Sequence, residues 1–181
     1  INSVSKSGTN EFKGTVFGYF RNKSLTGGTV DGVEIFKGDP KQTQFGASIG
    51  GPIVKNKIFF FANFEKENRS DLGSLWASSG GNNDFGNTSR VSSADMDLVS
   101  SLLMSKYGYD TGAKEGFTHN ADNIKGLFKL DFNIGDNHKL SATYNFLNAF
   151  RDNPAHPSAI GRRGPDFQTL QFENSGYRIN N

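Results

Sequence analysis

The sequence predicts an all-β chain of about six antiparallel strands, part of a transmembrane β-barrel, with one short helix in a long loop. Two observations carry this. Between Phe12 and Phe172, six segments alternate apolar with polar residues at the two-residue period of a strand. The connections between them alternate short with long: 50–56 and 135–138 are tight, whereas 22–41, 70–121 and 149–165 are long. Short turns on one side and long loops on the other is the layout of an outer-membrane barrel. Segments near ten residues also match the ~9–11 that a tilted strand needs to cross a bilayer.

The first strand is expected over 11–21, with Phe12, Gly14, Val16, Gly18 and Phe20 on its uncharged face. The second, 42–50, sets Phe45, Ala47 and Ile49 against Gln44, Gly46 and Ser48, and Gly50-Gly51-Pro52 reads as its breaker. The third, 57–69, begins apolar on both faces. Ile58, Phe60, Ala62 and Phe64 share one side, and Phe59 and Phe61 precede Asn63 and Glu65 on the other. Aromatics on both faces suit a barrel filled from within, not a bare water-filled pore.

In the long connection, Ser92 or Ser93 can cap a helix over 94–107, with Asp95 placed as in a capping box and Gly108 at a left-handed C-cap. Met96, Val99, Leu102 and Leu103 form its apolar stripe. The fourth strand, 123–134, has the clearest alternation, with Ile124, Phe128 and Phe132 opposite Lys125, Lys129 and Asn133. The fifth, 139–148, repeats it with Leu140, Ala142 and Tyr144. The sixth, 166–175, is weakly patterned. The uncharged parity yields twelve expected lipid-facing residues: Phe45, Ala47, Ile49, Ile58, Phe60, Ala62, Ile124, Phe128, Phe132, Leu140, Ala142 and Tyr144.

Composition excludes several function classes. There is no Cys, which removes disulfides, thiolate zinc sites and Cys nucleophiles. A net charge of +2 gives no reason to expect nucleic acid. Phe contributes 17 residues and Gly 22, a bias that fits sheets with aromatic girdles and polar loops. His119, His138 and His156 fall in expected loops or turns, where surface histidines outnumber ligands. Asp95 and Asp97 fit a helix's first turn, and Glu65 and Glu67 a strand face near a rim. No phosphate loop, EF-hand or nucleophile elbow is present. The expectation is no enzyme, no metal and no cofactor. Trp76, Phe85, Tyr107, Tyr109 and Phe117 in the long loop are the best candidates for binding, against the plainer reading that they form a small core beneath the helix.

Two stretches carry a family likeness. One is Ser5-Lys6-Ser7-Gly8-Thr9-Asn10-Glu11-Phe12-Lys13-Gly14, with the four residues before it. The other is Phe45-Gly46-Ala47-Ser48-Ile49-Gly50-Gly51-Pro52-Ile53-Val54-Lys55-Asn56-Lys57-Ile58-Phe59-Phe60-Phe61. Together they resemble TonB-dependent outer-membrane receptors, in particular the Oar-like branch with a carboxypeptidase-regulatory-like domain. Ser105-Lys106-Tyr107-Gly108-Tyr109-Asp110 is similar to the end of a helix in that family's long extracellular loop. The resemblance implies that residues 1–10 end a plug domain and 11–181 begin the barrel, with 70–121 extracellular and the tight turns periplasmic. It implies a fragment of a longer transporter in the outer membrane of a Gram-negative bacterium. The implied partners are outer-membrane lipid, TonB through the parent's N-terminal region, and a surface lipoprotein or another barrel protein. The alternatives are a structural or adhesive barrel that transports nothing, and a soluble antiparallel sandwich.

Overall fold

The computed structural model describes residues 5–34, 39–74, 76–81, 87–135, 137–155 and 170–180. Its strands are β1 (Lys13–Arg21), β2 (Thr29–Val30), β3 (Val33–Glu34), β4 (Lys41–Val54), β5 (Ile58–Leu72), β6 (Ala77–Ser79), β7 (Thr88–Ser92), β8 (Thr118–Ile134), β9 (His138–Asn153) and β10 (Tyr177–Asn180). The helix α1 spans Ser93–Tyr107. One antiparallel sheet runs β1-β4-β5-β8-β9-β10. It is not closed: among the described residues β1 and β10 each pair on one side only.

The tight turns lie at one end of the sheet and the long connections at the other. The first turn places Asn56 at φ 62, a left-handed position that Asn tolerates. The second places Gly135 at φ 67. At the other end, β2 and β3 form a small hairpin through Asp31 and Gly32, both at positive φ, as a two-residue hairpin turn requires. The parallel pair β6–β7 leads into α1. Ser92 caps that helix by accepting the Asp95 N–H at 3.0 Å, and Gly108 ends it at φ 64, as the sequence suggests.

Four expectations are corrected. Gly50-Gly51-Pro52 does not break the second strand, which continues to Val54 through an irregularity between Pro52 and Val54. The pairing of β1 with β4 stops at Gly50, so Pro52 lies where β4 has no neighbour on that side and its missing N–H is tolerated. These glycines serve close approach: a Cβ on Gly51 would run into the Phe12 ring, and Gly50 sits under Gly8. Second, the strands flanking the long connections overshoot their expected limits. β5 reaches Leu72, β8 starts at Thr118 and β9 reaches Asn153, which shortens the longest connection to 73–117. Third, the sixth strand is Tyr177–Asn180. Within 166–175, Glu173–Ser175 is a 3-10 turn, and 166–169 lie outside the described residues. Fourth, the stripe of α1 is mostly open: Met96 is buried, whereas Val99 and Leu102 are exposed.

Burial is unusual for a sheet of this size. The buried apolar side chains among the described residues are Ala77, Met96 and Phe117, all in the long connection. No element among the described residues covers the apolar face of the large sheet, where Phe45, Ile49, Phe128, Leu140 and Tyr144 remain 45–67% exposed. A soluble sandwich would bury that face against a second sheet.

Candidate functional site

Register sorts the strand residues into rows, and strand parity assigns each row to one face. Ile49, Ala62, Phe128 and Tyr144 form one row, with Gly14 beside Ile49. Its neighbours on that face are Gly51–Phe60–Leu130–Ala142 and Ala47–Phe64–Gly126–Phe146, and Ile58–Phe132–Leu140 lies nearer the turns. All twelve residues expected to meet lipid therefore share one face. Charge first appears there at Lys66 and then at Asp122, toward the long connections. On β8 the uncharged stretch runs from Ile124 to Ile134. That is about 33 Å of strand at ~3.3 Å per residue, or about 25 Å at a ~40° tilt, the height of an outer-membrane apolar band.

The opposite face is polar and internally bonded. Gln42 donates to Glu67 and Gln44 to Glu65, each at 2.7 Å, and Asn123 donates to Glu67 at 3.0 Å. Lys125 pairs with Glu65. The paired carboxylates thus act as acceptors in a cross-strand network. Asp95 is held by Ser92 and Asp97 by Lys114.

An added layer covers this polar face at the tight-turn end. Residues 5–10 cross it before the chain enters β1. Ser7 Oγ accepts a 2.8 Å bond from Lys129 Nζ, and Lys129 is buried, with Asp131 3.6 Å away. Asn10 bonds the first turn twice, donating to the Asn56 side chain at 2.6 Å and accepting the Asn56 N–H at 2.8 Å. A Cβ on Gly8 would strike the Phe60 carbonyl. A recess of about 310 Å³ lies between this segment and the sheet, lined by Lys6, Ser7, Thr9, Ser48 and Phe61.

The long-connection end is laced by hydrogen bonds between loops. Glu173 N–H donates to Ala113 O and Asn174 N–H to Thr111 O, and the Glu173 carboxylate accepts from Ala113 N–H. Gln171 is buried, donating to Gly73 O and accepting from Ala155 N–H. Among the described residues no ring pair joins the loop aromatics to one another. Phe117 is buried against Gly73, and Trp76 is half-buried with its Nε1 unpartnered among the described residues. Tyr109 is exposed but donates to Asn174 O at 2.7 Å, and Tyr107 is exposed. Phe85 and His156 lie outside the described residues.

Beside this lacing is a polar cleft of about 290 Å³ whose lining includes His119, Asp152, Asn153, Glu173, Tyr177 and Arg178. It lies past Asp122, beyond the uncharged belt. Burial lowers the pKa of His119, against the opposing pull of Asp152 and Glu173. Burial pushes the Asp152 carboxyl up, but bonds from Arg178 (2.8 Å) and the Asn120 N–H (3.1 Å) outweigh it, leaving a net lowering. The bond to Asp152 raises Arg178 in turn. His119 and His138 are far apart in the sheet, and no group of three metal-ligand side chains occurs among the described residues.

An open antiparallel sheet with one uncovered apolar face, one polar face, tight turns at one end and long loops at the other defines a segment of an outer-membrane β-barrel. The chain belongs to the outer membrane β-barrel domain family, whose model matches residues 4–94. It is similar to the TonB-dependent transporter Oar of Myxococcus xanthus, at 39% identity over 75 residues. That alignment takes in 35% of this chain and 7% of the relative. No solved structure matches the chain. The chain is thus part of an outer-membrane β-barrel protein, similar over part of its length to a TonB-dependent transporter.

Proposed function

We propose that this chain builds the first barrel strands of a TonB-dependent transporter that takes up a solute across the outer membrane, with no catalytic step of its own. In this reading residues 1–10 end the plug and 11–181 begin the barrel. The apolar face, from Phe45 through Phe128 to Tyr144, meets lipid, and the polar face lines the lumen. The tight turns are periplasmic, the 73–117 connection is extracellular, and TonB acts through the N-terminal part of the full natural protein.

The observation that carries the reading is the seat of residues 5–10. The chain approaches β1 from the polar side, held there by Lys129 and Asn56, with Gly8 close against the Phe60 backbone. A polypeptide occupying the lumen would lead into the first strand in this way. An empty pore would leave Lys129 and Phe61 to water.

The test compares three strains: wild type, one lacking the gene for the full natural protein, and one lacking TonB. Uptake is measured across a panel of labelled solutes. At least one solute is expected to be lost from both mutants and restored by the intact gene. If no solute depends on both, the transport reading falls, and a structural or adhesive barrel replaces it.

A further inference from the structure

Six strands of the large sheet carry four arginines, and register puts three of them in one row. Arg21 pairs with Gln42, Gln42 with Arg69, Arg69 with Ala121, and Ala121 with Arg151. All are on the polar face, past the level at which Lys66 and Asp122 end the uncharged belt on the other side. Adjacent strands are about 4.8 Å apart, so successive arginines stand roughly 10 Å apart on alternate strands. The lysines of the sheet are less gathered. Lys41 and Lys66 belong to the opposite face; on the polar face Lys13 and Lys129 share a row near the tight turns, and Lys125 and Lys139 fall in two others.

The row is only partly neutralised. Arg69 pairs with Asp71 at 2.6 Å. Glu67, one row nearer the turns, is occupied by Gln42 and Asn123. Arg21 and Arg151 are exposed and have no hydrogen-bond or ion-pair partner among the described residues. Guanidinium groups offer forked donors that match carboxylate and phosphate oxygens two at a time. Rings of such side chains select anions in membrane pores. The row is flanked by Tyr19 on one side and by His119 and Tyr177 toward the loops.

We infer that Arg21, Arg69 and Arg151 form an anion-recognising rim at the long-connection end of the barrel interior, and that the solute it receives carries two or more carboxylate or phosphate groups. This rests on the polar face being the lumen wall. Lipid phosphates share that chemistry, but they would meet the opposite face, where Lys41 and Lys66 point.

The test uses the full natural protein purified in detergent, without TonB. Binding of inositol hexakisphosphate is measured by calorimetry, with inorganic phosphate as a single-anion probe and neutral myo-inositol as a blank. R21Q/R151Q is compared with K41Q/K66Q, which removes as many charges from the other face. R21Q/R151Q should bind the polyphosphate about ten- to a hundredfold more weakly, at roughly tenfold per charged hydrogen-bonding group. K41Q/K66Q should bind as wild type does. The heat-dependent gel mobility of each variant reports barrel folding, and R21K is the fallback if the double variant misfolds: it keeps charge, loses the fork and should weaken binding. Equal losses in both double variants would mean diffuse charge attraction and overturn the rim, as would unchanged binding in R21Q/R151Q, or in R21K where that fallback is used. Loss only in K41Q/K66Q would assign the site to lipid phosphate. Binding through the row by a protein without TonB-dependent uptake would overturn the transport proposal alone.

Discussion

Substituting Arg for Phe128 and, separately, for its neighbour Leu127 tests the face assignment one residue at a time. Phe128 lies near the middle of the uncharged stretch of β8, between Ala62 and Tyr144. Leu127 lies between Asn63 and Asn145 on the polar face. Near the bilayer midplane an outward Arg costs about 2–4 kcal/mol. Taking about 3 kcal/mol, the folding equilibrium should shift by roughly a hundredfold. At Leu127 the new charge would have polar neighbours across both strand pairs. It would share its face with Lys125 and Lys129, but also with Glu65, so its cost should stay within ~1 kcal/mol. The full natural protein is refolded into phospholipid vesicles and unfolded in urea, following heat-dependent gel mobility. Phe128→Arg should lower the midpoint far more than Leu127→Arg. The reverse order would mean that the two faces are exchanged, and the register-based rows would lose their meaning.

Gly8→Val should dislodge the 5–10 segment, because its Cβ meets the Phe60 carbonyl. A cost of about 1–3 kcal/mol should appear as faster amide exchange in that segment and around Asn56, and unchanged exchange would refute the tight seat. Protease added to intact cells should nick the 73–117 connection and spare the turns at 55–57 and 135–137. Cleavage only after the outer membrane is opened would invert the orientation. Acid should loosen the cleft at the loop end in two stages. The lowered pKa of His119 means that the unfolded chain takes up its proton first, so stability falls as pH drops below about 6.5. Asp152 stabilises above its ordinary carboxylate range, and that contribution is lost only as pH falls through its depressed folded pKa, below 3.8. Exchange at the Asn120 amide, corrected for its intrinsic pH dependence, should rise between pH 7 and 5, and His119→Asn should abolish that first rise. A pH-indifferent amide would remove the role of His119.

The sequence alone determined the alternating faces, the existence and order of the tight turns and both ends of the helix. These are local properties. Where one face meets an apolar phase and the other a polar one, period-two polarity is written into the strand itself, as in Ile124–Ile134. Ser92 and Gly108 act within a few residues of the helix they bound. The tertiary structure decided what depends on pairing. β5, β8 and β9 extend past their legible limits because beyond Lys66 and Asp122 both faces are polar and the alternation disappears. Tyr177–Asn180, not the weak apolar pattern before it, became the sixth strand because it pairs with β9 at Phe150–Asn153. Lys129 reads as an ordinary strand lysine until the distant Ser7 is laid across it. Arg21, Arg69 and Arg151, more than forty residues apart in sequence, share a row only through four strand registers. Backbone ladders are nearly indifferent to side-chain identity, so no local pattern announces which residues will stand side by side.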